Sequence, residues 1–188
     1  MKPFCSGNRN DVEILQKLQV GELTDAEMNP YFYPDPVAPF VAAKKAKKEI
    51  HLQEVVEKIS VINKRCDILL IEGAGGVMVP LGENFFIKDL IIALEPKIIL
   101  VGRNQIGTIN HTLLSLLALK KFDCHEIKVV LMGQKKEDIS SHTNAETLQS
   151  FLRPQSVFEL PFLGRDPLLF PSFETNIKKI KKILAALT

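Results

Sequence analysis

The stretch Asp67-Ile68-Leu69-Leu70-Ile71-Glu72-Gly73-Ala74-Gly75-Gly76-Val77-Met78-Val79-Pro80-Leu81, continuing as Gly82-Glu83-Asn84-Phe85-Phe86, decides the fold of this chain. Four consecutive aliphatic residues, Ile68 to Ile71, have strand length and are too few for a helix of their own. The run stops at a single carboxylate and then three glycines in four positions. This pattern predicts a strand buried on both faces in a parallel sheet, with Glu72 at the carboxyl end, where ligands gather beyond such sheets. The glycines allow main chain to approach a ligand closely. On spacing alone, a glycine turn beside a solvated Glu72 fits equally well.

Outward from this stretch, strands and helices alternate. Lys2-Pro3-Phe4-Cys5-Ser6-Gly7 reads as extended, because the residue before a proline avoids the helical region. A helix starts near Asp11, with apolar Val12, Ile14, Leu15 and Leu18, and stops at Gly21. Asp11 at its start has an ordinary explanation as a cap or first-turn acid. Four prolines between Pro30 and Pro39 mark a semi-rigid loop. Leu52, Val55, Val56, Ile59 and Ile62 have the three-four spacing of an amphipathic helix. The lysines at 44, 45, 47 and 48 read as a solvated face, since Glu49, Glu54 and Glu57 follow them. Downstream, a short helix over residues 85–94 is expected, then a strand over 97–101 and a long helix over 108–121. Free N–H groups at the start of that helix, near Gly107 and Thr108, suit an anion. Strands are expected at Ile127–Met132 and Val157–Leu160, and a last helix at residues 174–187 that buries Ile177, Ile180, Ile183, Leu184 and Leu187. The alternation argues a parallel α/β sheet with crossover helices.

Composition narrows the function classes. The 188 residues carry 24 Lys and Arg against 22 Asp and Glu, so a net charge of +2 offers no field to recruit nucleic acid or a membrane surface. No stretch approaches the length of a membrane span. Length predicts a single domain over residues 1–188. Cys5, Cys66 and Cys124 are odd in number and scattered, which argues against a disulfide framework or a zinc site and for a reducing cytoplasm. His51, His111, His125 and His142 show no metal-ligand spacing. No Gly-x-Ser-x-Gly hydrolase elbow occurs.

Taken together, Ile71-Glu72-Gly73-Ala74-Gly75-Gly76 with Val79-Pro80-Leu81, Lys2-Pro3 with Ser6-Gly7 upstream, and Gly107-Thr108-Ile109-Asn110-His111 downstream resemble the dethiobiotin synthetase family. Asn29-Pro30-Tyr31 is similar to that family's Asn-Pro-Tyr loop, and Leu160-Pro161-Phe162-Leu163 to its late proline loop. The resemblance implies a P-loop NTPase-like, Rossmann-like three-layer fold. It also implies carboxylation and ring closure of 7,8-diaminononanoate with CO2 and ATP, in a homodimer. Lys2 is then a fixed cation for the carbamate and the developing phosphate charge, and Ser6 a hydrogen-bond partner of the same intermediate. Asp11 and Glu72 hold Mg2+. Gly73, Ala74, Gly75 and Gly76 line the substrate and phosphate site. Asn110, with the N–H groups of Gly107, Thr108 and Ile109, takes the substrate's distal carboxylate across the dimer interface. Pro161, Phe162 and Leu163 flank the adenine.

Two departures from the family pattern stand out. No Gly-x-x-x-x-Gly-Lys-Ser/Thr occurs in these residues. The phosphate cradle and a central strand are therefore expected upstream of Met1, and the chain as written is expected to be poorly active. A degenerate chain, or one completed by another polypeptide, are the competing explanations. The family's adenine-reading Asn is replaced within Val130-Leu131-Met132-Gly133-Gln134, where Gln134 is the residue available to substitute. Two alternatives accompany the enzyme reading: a non-catalytic binding or dimerisation protein, and a related amidotransferase-type synthetase of cobalamin biosynthesis. The latter is disfavoured because such proteins carry a downstream glutaminase domain with a nucleophilic Cys.

Overall fold

A computed structural model of the chain describes residues 1–19, 21–120, 127–153, 156–164, 167 and 172–187. Lys121, Cys124 and His125 lie outside these residues. The chain divides into two compact units, Met1–Pro96 and Lys97–Thr188.

In the first unit, β1 (Phe4–Ser6) is followed by α1 (Asn10–Leu18) and α2 (Asp25–Met28), and then by β2 (Tyr31–Tyr33), which pairs parallel to β1 with Phe4 opposite Tyr31. The Phe4 and Tyr31 rings stack with centroids 4.9 Å apart, which reinforces this short ladder. Thr24 starts α2 with a capping box: its hydroxyl accepts from the Glu27 N–H and the Glu27 carboxylate accepts from the Thr24 N–H. Pro39 opens α3 (Pro39–Lys45), a position where its missing N–H costs nothing. Next, α4 (Leu52–Asn63) buries Val55, Ile59 and Ile62, the stripe expected from their spacing. These side chains pack with Phe4, Tyr33, Leu81, Phe85, Ile87 and Leu90 in one core.

The deciding stretch differs from its expected form. No strand forms at residues 68–71. The segment is joined to Met1 by two main-chain bonds, Met1 N to Leu70 O at 2.7 Å and Glu72 N to Met1 O at 2.9 Å. Leu69 and Ile71 pack on the core, but Ile68 is 84% and Leu70 69% exposed. A strand buried on both faces needs ladder partners and cover on each side; here one face is packed and the other open. Phe85 and Phe86, expected to start a helix, instead form β4 (Phe85–Phe86), antiparallel to β3 (Pro80–Gly82), and α5 (Ile87–Leu94) follows. The Asp89 carboxylate accepts from the Phe86 N–H at 2.7 Å and so fixes where α5 begins.

In the second unit, β5 (Ile98–Arg103), β6 (Ile127–Met132) and β7 (Val157–Leu160) form a parallel sheet in that order. The connections carry α6 (Thr108–Lys120) and α7 (Asn144–Phe151), as parallel pairing requires of crossovers. A 3₁₀ turn at Ile139–His142 precedes α7. Leu116, Val129, Leu131 and Leu148 make the core between sheet and helices. The last helix, α8 (Ser172–Leu187), is less buried than its pattern suggested: Ile177 and Leu184 are exposed, and Ile180, Ile183 and Leu187 are half-buried.

The β3–β4 hairpin depends on Gly82. A Cβ there would lie 2.1 Å from Phe85 Cε1 and 2.6 Å from the Ile50 carbonyl oxygen, so neither neighbour can accommodate it. Gly82→Ala is expected to lower stability by about 2–3 kcal/mol through overpacking, measured as a shifted urea midpoint.

Candidate functional site

The first unit gathers three charged side chains from distant parts of the chain. Lys2 Nζ lies 2.8 Å from Asp11 Oδ2 and 2.7 Å from Glu72 Oε1. The Lys2 side chain is 8% exposed, whereas Asp11 and Glu72 are about half exposed. Each is set in place by main chain. Lys2 N donates to Met28 O at 2.9 Å, and Lys2 O accepts from Asn29 Nδ2 at 2.8 Å. Asp11 occupies the first turn of α1, where the unpaired N–H groups of a helix favour a carboxylate. Glu72 is fixed through its N–H to Met1 O. Burial opposes the Lys2 charge, but the hydrogen bonds to Asp11 and Glu72 outweigh it and hold its pKa above the ordinary lysine value.

Asp11 and Glu72 converge on the Lys2 ammonium, and the second oxygen of each half-exposed carboxylate is left as a hard donor. Among the described residues no group of three or more metal-type side chains exists. A two-carboxylate site fits Mg2+, which commonly takes one or two carboxylates and completes its shell with substrate phosphate and water.

Ser6 and the glycine loop lie in the same unit. The Ser6 hydroxyl donates to Val37 O at 2.7 Å, so its proton is committed and its oxygen remains an acceptor. The segment from Gly73 to Gly76 is an irregular loop closed by Val79 N to Gly76 O at 3.0 Å. Gly75 has a φ of +77°, and a Cβ on it would meet Val79 Cγ2 at 2.9 Å. Among the described residues no acceptor serves the N–H groups of residues 73 to 76.

The second unit holds the other predicted residues at the carboxyl ends of its parallel strands. Gly107, at φ +90°, turns the chain into α6, and Thr108 is buried at its first position. Ile109 is half-buried and Asn110 exposed. The N–H groups of Gly107, Ile109 and Asn110 have no acceptor among the described residues, as expected of a helix start. The Thr108 N–H differs from the expectation: it donates to Gln105 O at 3.1 Å, because the turn ahead of α6 closes on it. Pro161, Phe162 and Leu163 follow β7 directly. Gly133 N donates to Leu160 O at 2.7 Å, and a Cβ at Gly133 would come within 2.8 Å of Phe162 N, so the two strand ends are in close contact. Gln134 Nε2 donates to Met132 O at 2.8 Å, which uses one of its two amide N–H donors.

Several residues of this arrangement carried no functional reading in the sequence. Asn29 was visible only as part of the Asn-Pro-Tyr motif; its work is to hold the main chain of Lys2. Asn104, Asp138 and Asn144 bond one another or the loop before α6, and nothing in their spacing announces it.

Comparison with known proteins places this geometry in a class. The family profile for the AAA domain matches residues 1–168. This defines a nucleotide-binding type of α/β fold, in keeping with the parallel strands and the glycine loops after them. Among individual proteins, the ATP-dependent dethiobiotin synthetase of Bacillus licheniformis is 33% identical over 187 residues, covering 96% of this chain and 77% of the relative. Those of Bacillus velezensis and Bacillus subtilis are 31% and 30% identical and cover 94% and 89% of the chain, or 76% and 73% of the relatives. The chain belongs to the dethiobiotin synthetase family.

Two outcomes test the charged cluster. Asn29→Ala leaves the Lys2 carbonyl without its buried partner and is expected to cost about 1–3 kcal/mol in urea unfolding. The Lys2 pKa is raised on folding, so its ion pairs contribute fully below the unfolded value and fade as pH rises through the folded one. The stability difference between wild type and Lys2→Met is expected to be flat from about pH 7 to 9 and to decline for wild type above the ordinary lysine pKa of about 10.4.

Proposed function

We propose that this chain acts in dethiobiotin synthesis, closing a cyclic urea on 7,8-diaminononanoate at the expense of ATP. The observation that carries the reading is the Lys2 ammonium held between Asp11 and Glu72, in the unit whose glycine loop has free N–H groups. The relatives are named for this ATP-dependent synthesis, which supplies the reaction class.

One amine of the substrate adds to CO2 and forms a carbamate, losing a proton. The carbamate oxygen attacks the γ-phosphorus of ATP, giving a carbamic–phosphoric anhydride and ADP. The second amine then attacks the carbamoyl carbon, the C–O bond to phosphate breaks, and inorganic phosphate leaves as the ring closes. Every step develops or moves negative charge on oxygen, so fixed cations and N–H donors matter more than a strong base. Lys2 supplies such a cation, the Ser6 oxygen accepts from the carbamate N–H, and the N–H groups of residues 73 to 76 hold the carbamate and phosphate oxygens. Asp11 and Glu72 hold Mg2+, which neutralises phosphate charge when bound. Asn110, with the free N–H groups of Gly107 and Ile109, takes the substrate carboxylate, contributed to the partner's site in a homodimer. Pro161, Phe162 and Leu163 flank the purine. The 188 residues act as one dethiobiotin-synthetase-type domain in a reducing cytoplasm, with neither nucleic acid nor membrane as partner.

Isothermal titration of the full chain with 7,8-diaminononanoate, and an assay for dethiobiotin with Mg·ATP and bicarbonate, test the reading. Substrate binding is expected, and Asn110→Ala is expected to weaken it about tenfold, as loss of one hydrogen bond to a charged group implies. Where turnover is measured, chelation of the divalent ion abolishes it, and Lys2→Met lowers it at least about a hundredfold. No binding at millimolar substrate overturns the proposal. Binding without turnover supports the non-catalytic alternative.

A further inference from the structure

The carboxyl end of the three-stranded sheet carries a buried amide network that none of the proposed chemistry uses. Asn104, 7% exposed, follows β5 by one residue. Its N–H donates to Met132 O at 2.8 Å, which extends the β5–β6 ladder one step past the end of the strands. Its side-chain Nδ2 donates to Glu159 Oε1 and to Ser141 O, both at 3.1 Å. Its Oδ1 accepts from Nδ2 of Asn144, which is 2% exposed, at 2.9 Å. The orientation of the amide is settled by these partners: two acceptors face one end and a donor the other, so a flipped Asn104 would lose all three bonds.

One side chain thus touches the end of β7, the 3₁₀ turn and α7, while its own main chain touches β6. The loop that follows is pinned in turn. Ile106 N donates to Asp138 Oδ2 at 2.8 Å, and Gln105 O accepts from Asn144 Nδ2 at 3.4 Å. Asp138 itself is fixed by the Ser140 N–H at 2.9 Å and by the Ser140 hydroxyl. These bonds leave Gly107 at its left-handed turn, and around it the N–H groups that lack acceptors. Holding the Gln105 carbonyl and the Ile106 N–H fixes the turn ahead of α6, so the direction of the donors that follow is set before a ligand arrives, as a preorganised anion-holding loop requires.

We propose that Asn104 is a positioning residue: through Glu159 and Asn144 it ties the loop that holds the substrate carboxylate to α7 and to the end of β7, where the purine-flanking segment begins. The inference rests on the reading of Gly107 to Asn110 as the carboxylate-holding loop, and it assigns the loop's geometry to a residue that touches no substrate.

The test uses Asn104→Asp. The new carboxylate keeps an acceptor toward Asn144 but faces Glu159 and the Ser141 carbonyl with an oxygen in place of a donor. Glu159→Gln in the same chain restores a donor to face it. Two measurements are made on the full chain: titration with 7,8-diaminononanoate, and amide hydrogen exchange at Gln105, Ile106 and Thr108, the hydrogen-bonded N–H groups of this loop. Asn104→Asp is expected to speed exchange in this loop at least about tenfold and to weaken substrate binding about tenfold, the scale of one lost hydrogen bond to a charged group. The double variant recovers both to within about threefold of wild type, and Glu159→Gln alone leaves both near wild type. A merely structural role would lower the unfolding midpoint without this local exchange change and without rescue. Unchanged exchange in Asn104→Asp, or no recovery in the double variant, overturns the inference. Should wild type fail to bind the diamino acid, the substrate reading falls, and the exchange data still decide whether Asn104 fixes the loop. Should Asn104→Asp fail to fold, Asn104→Ser, which can keep a donor near Ser141 O but cannot reach Glu159, gives the same comparison; fast loop exchange supports the inference and wild-type exchange overturns it.

Discussion

An ammonium taken out of water must meet negative charge, and in the first unit this requirement organises everything around Lys2. Desolvating a lysine costs several kcal/mol, and a side chain 8% exposed can remain charged only where partners offset that cost. Asp11 does so from the following helix, and Glu72 from 70 residues further along the chain. The extended start of the chain, the first turn of α1 and the end of the deciding stretch therefore have to meet. The half-exposed carboxylates keep one side open to solvent.

The second unit solves a different problem. Its parallel strands end together, leaving main-chain groups and loops at one edge, and a parallel sheet has no hairpins to hold them. Buried amides take over that task. Asn104 and Asn144 are both nearly inaccessible, and each polar atom of the Asn104 side chain has a partner, so the network costs little desolvation beyond what its bonds return. Rigidity is thereby concentrated on one side of the Gly107 turn, and the unpaired N–H groups are left on the other.

Much of this was legible beforehand. The strands at Ile127–Met132 and Val157–Leu160 have the bounds that their apolar runs suggest, because branched and aromatic side chains suit a covered, pleated sheet. Lys2, Asp11 and Glu72 could be named as a group through the family pattern, and the geometry brings both carboxylates within hydrogen-bond distance of the ammonium. Less legible was the deciding stretch itself. The run from Ile68 to Ile71 reads as a doubly covered strand, yet alternate residues are exposed, since periodicity within one segment says nothing about whether a neighbour lies along its edge. Phe85 and Phe86 form a strand and not a helix start for a related reason: two aromatics suit either equally, and the pairing with Pro80 to Gly82 that decides it lies outside their own segment.

The sequence by itself determined the class of fold, the glycine positions that need left-handed or crowded backbone, and the residue types able to carry charge to phosphate. These are local properties, set by side-chain branching, by the missing Cβ and by the chemistry of each group. Only the tertiary structure decided which charges pair, that Asn29 holds the Lys2 main chain, and that Asn104 spans three strand ends. Those facts depend on distances between segments far apart in the chain, where the free energy of burying a polar group selects partners that no spacing rule contains.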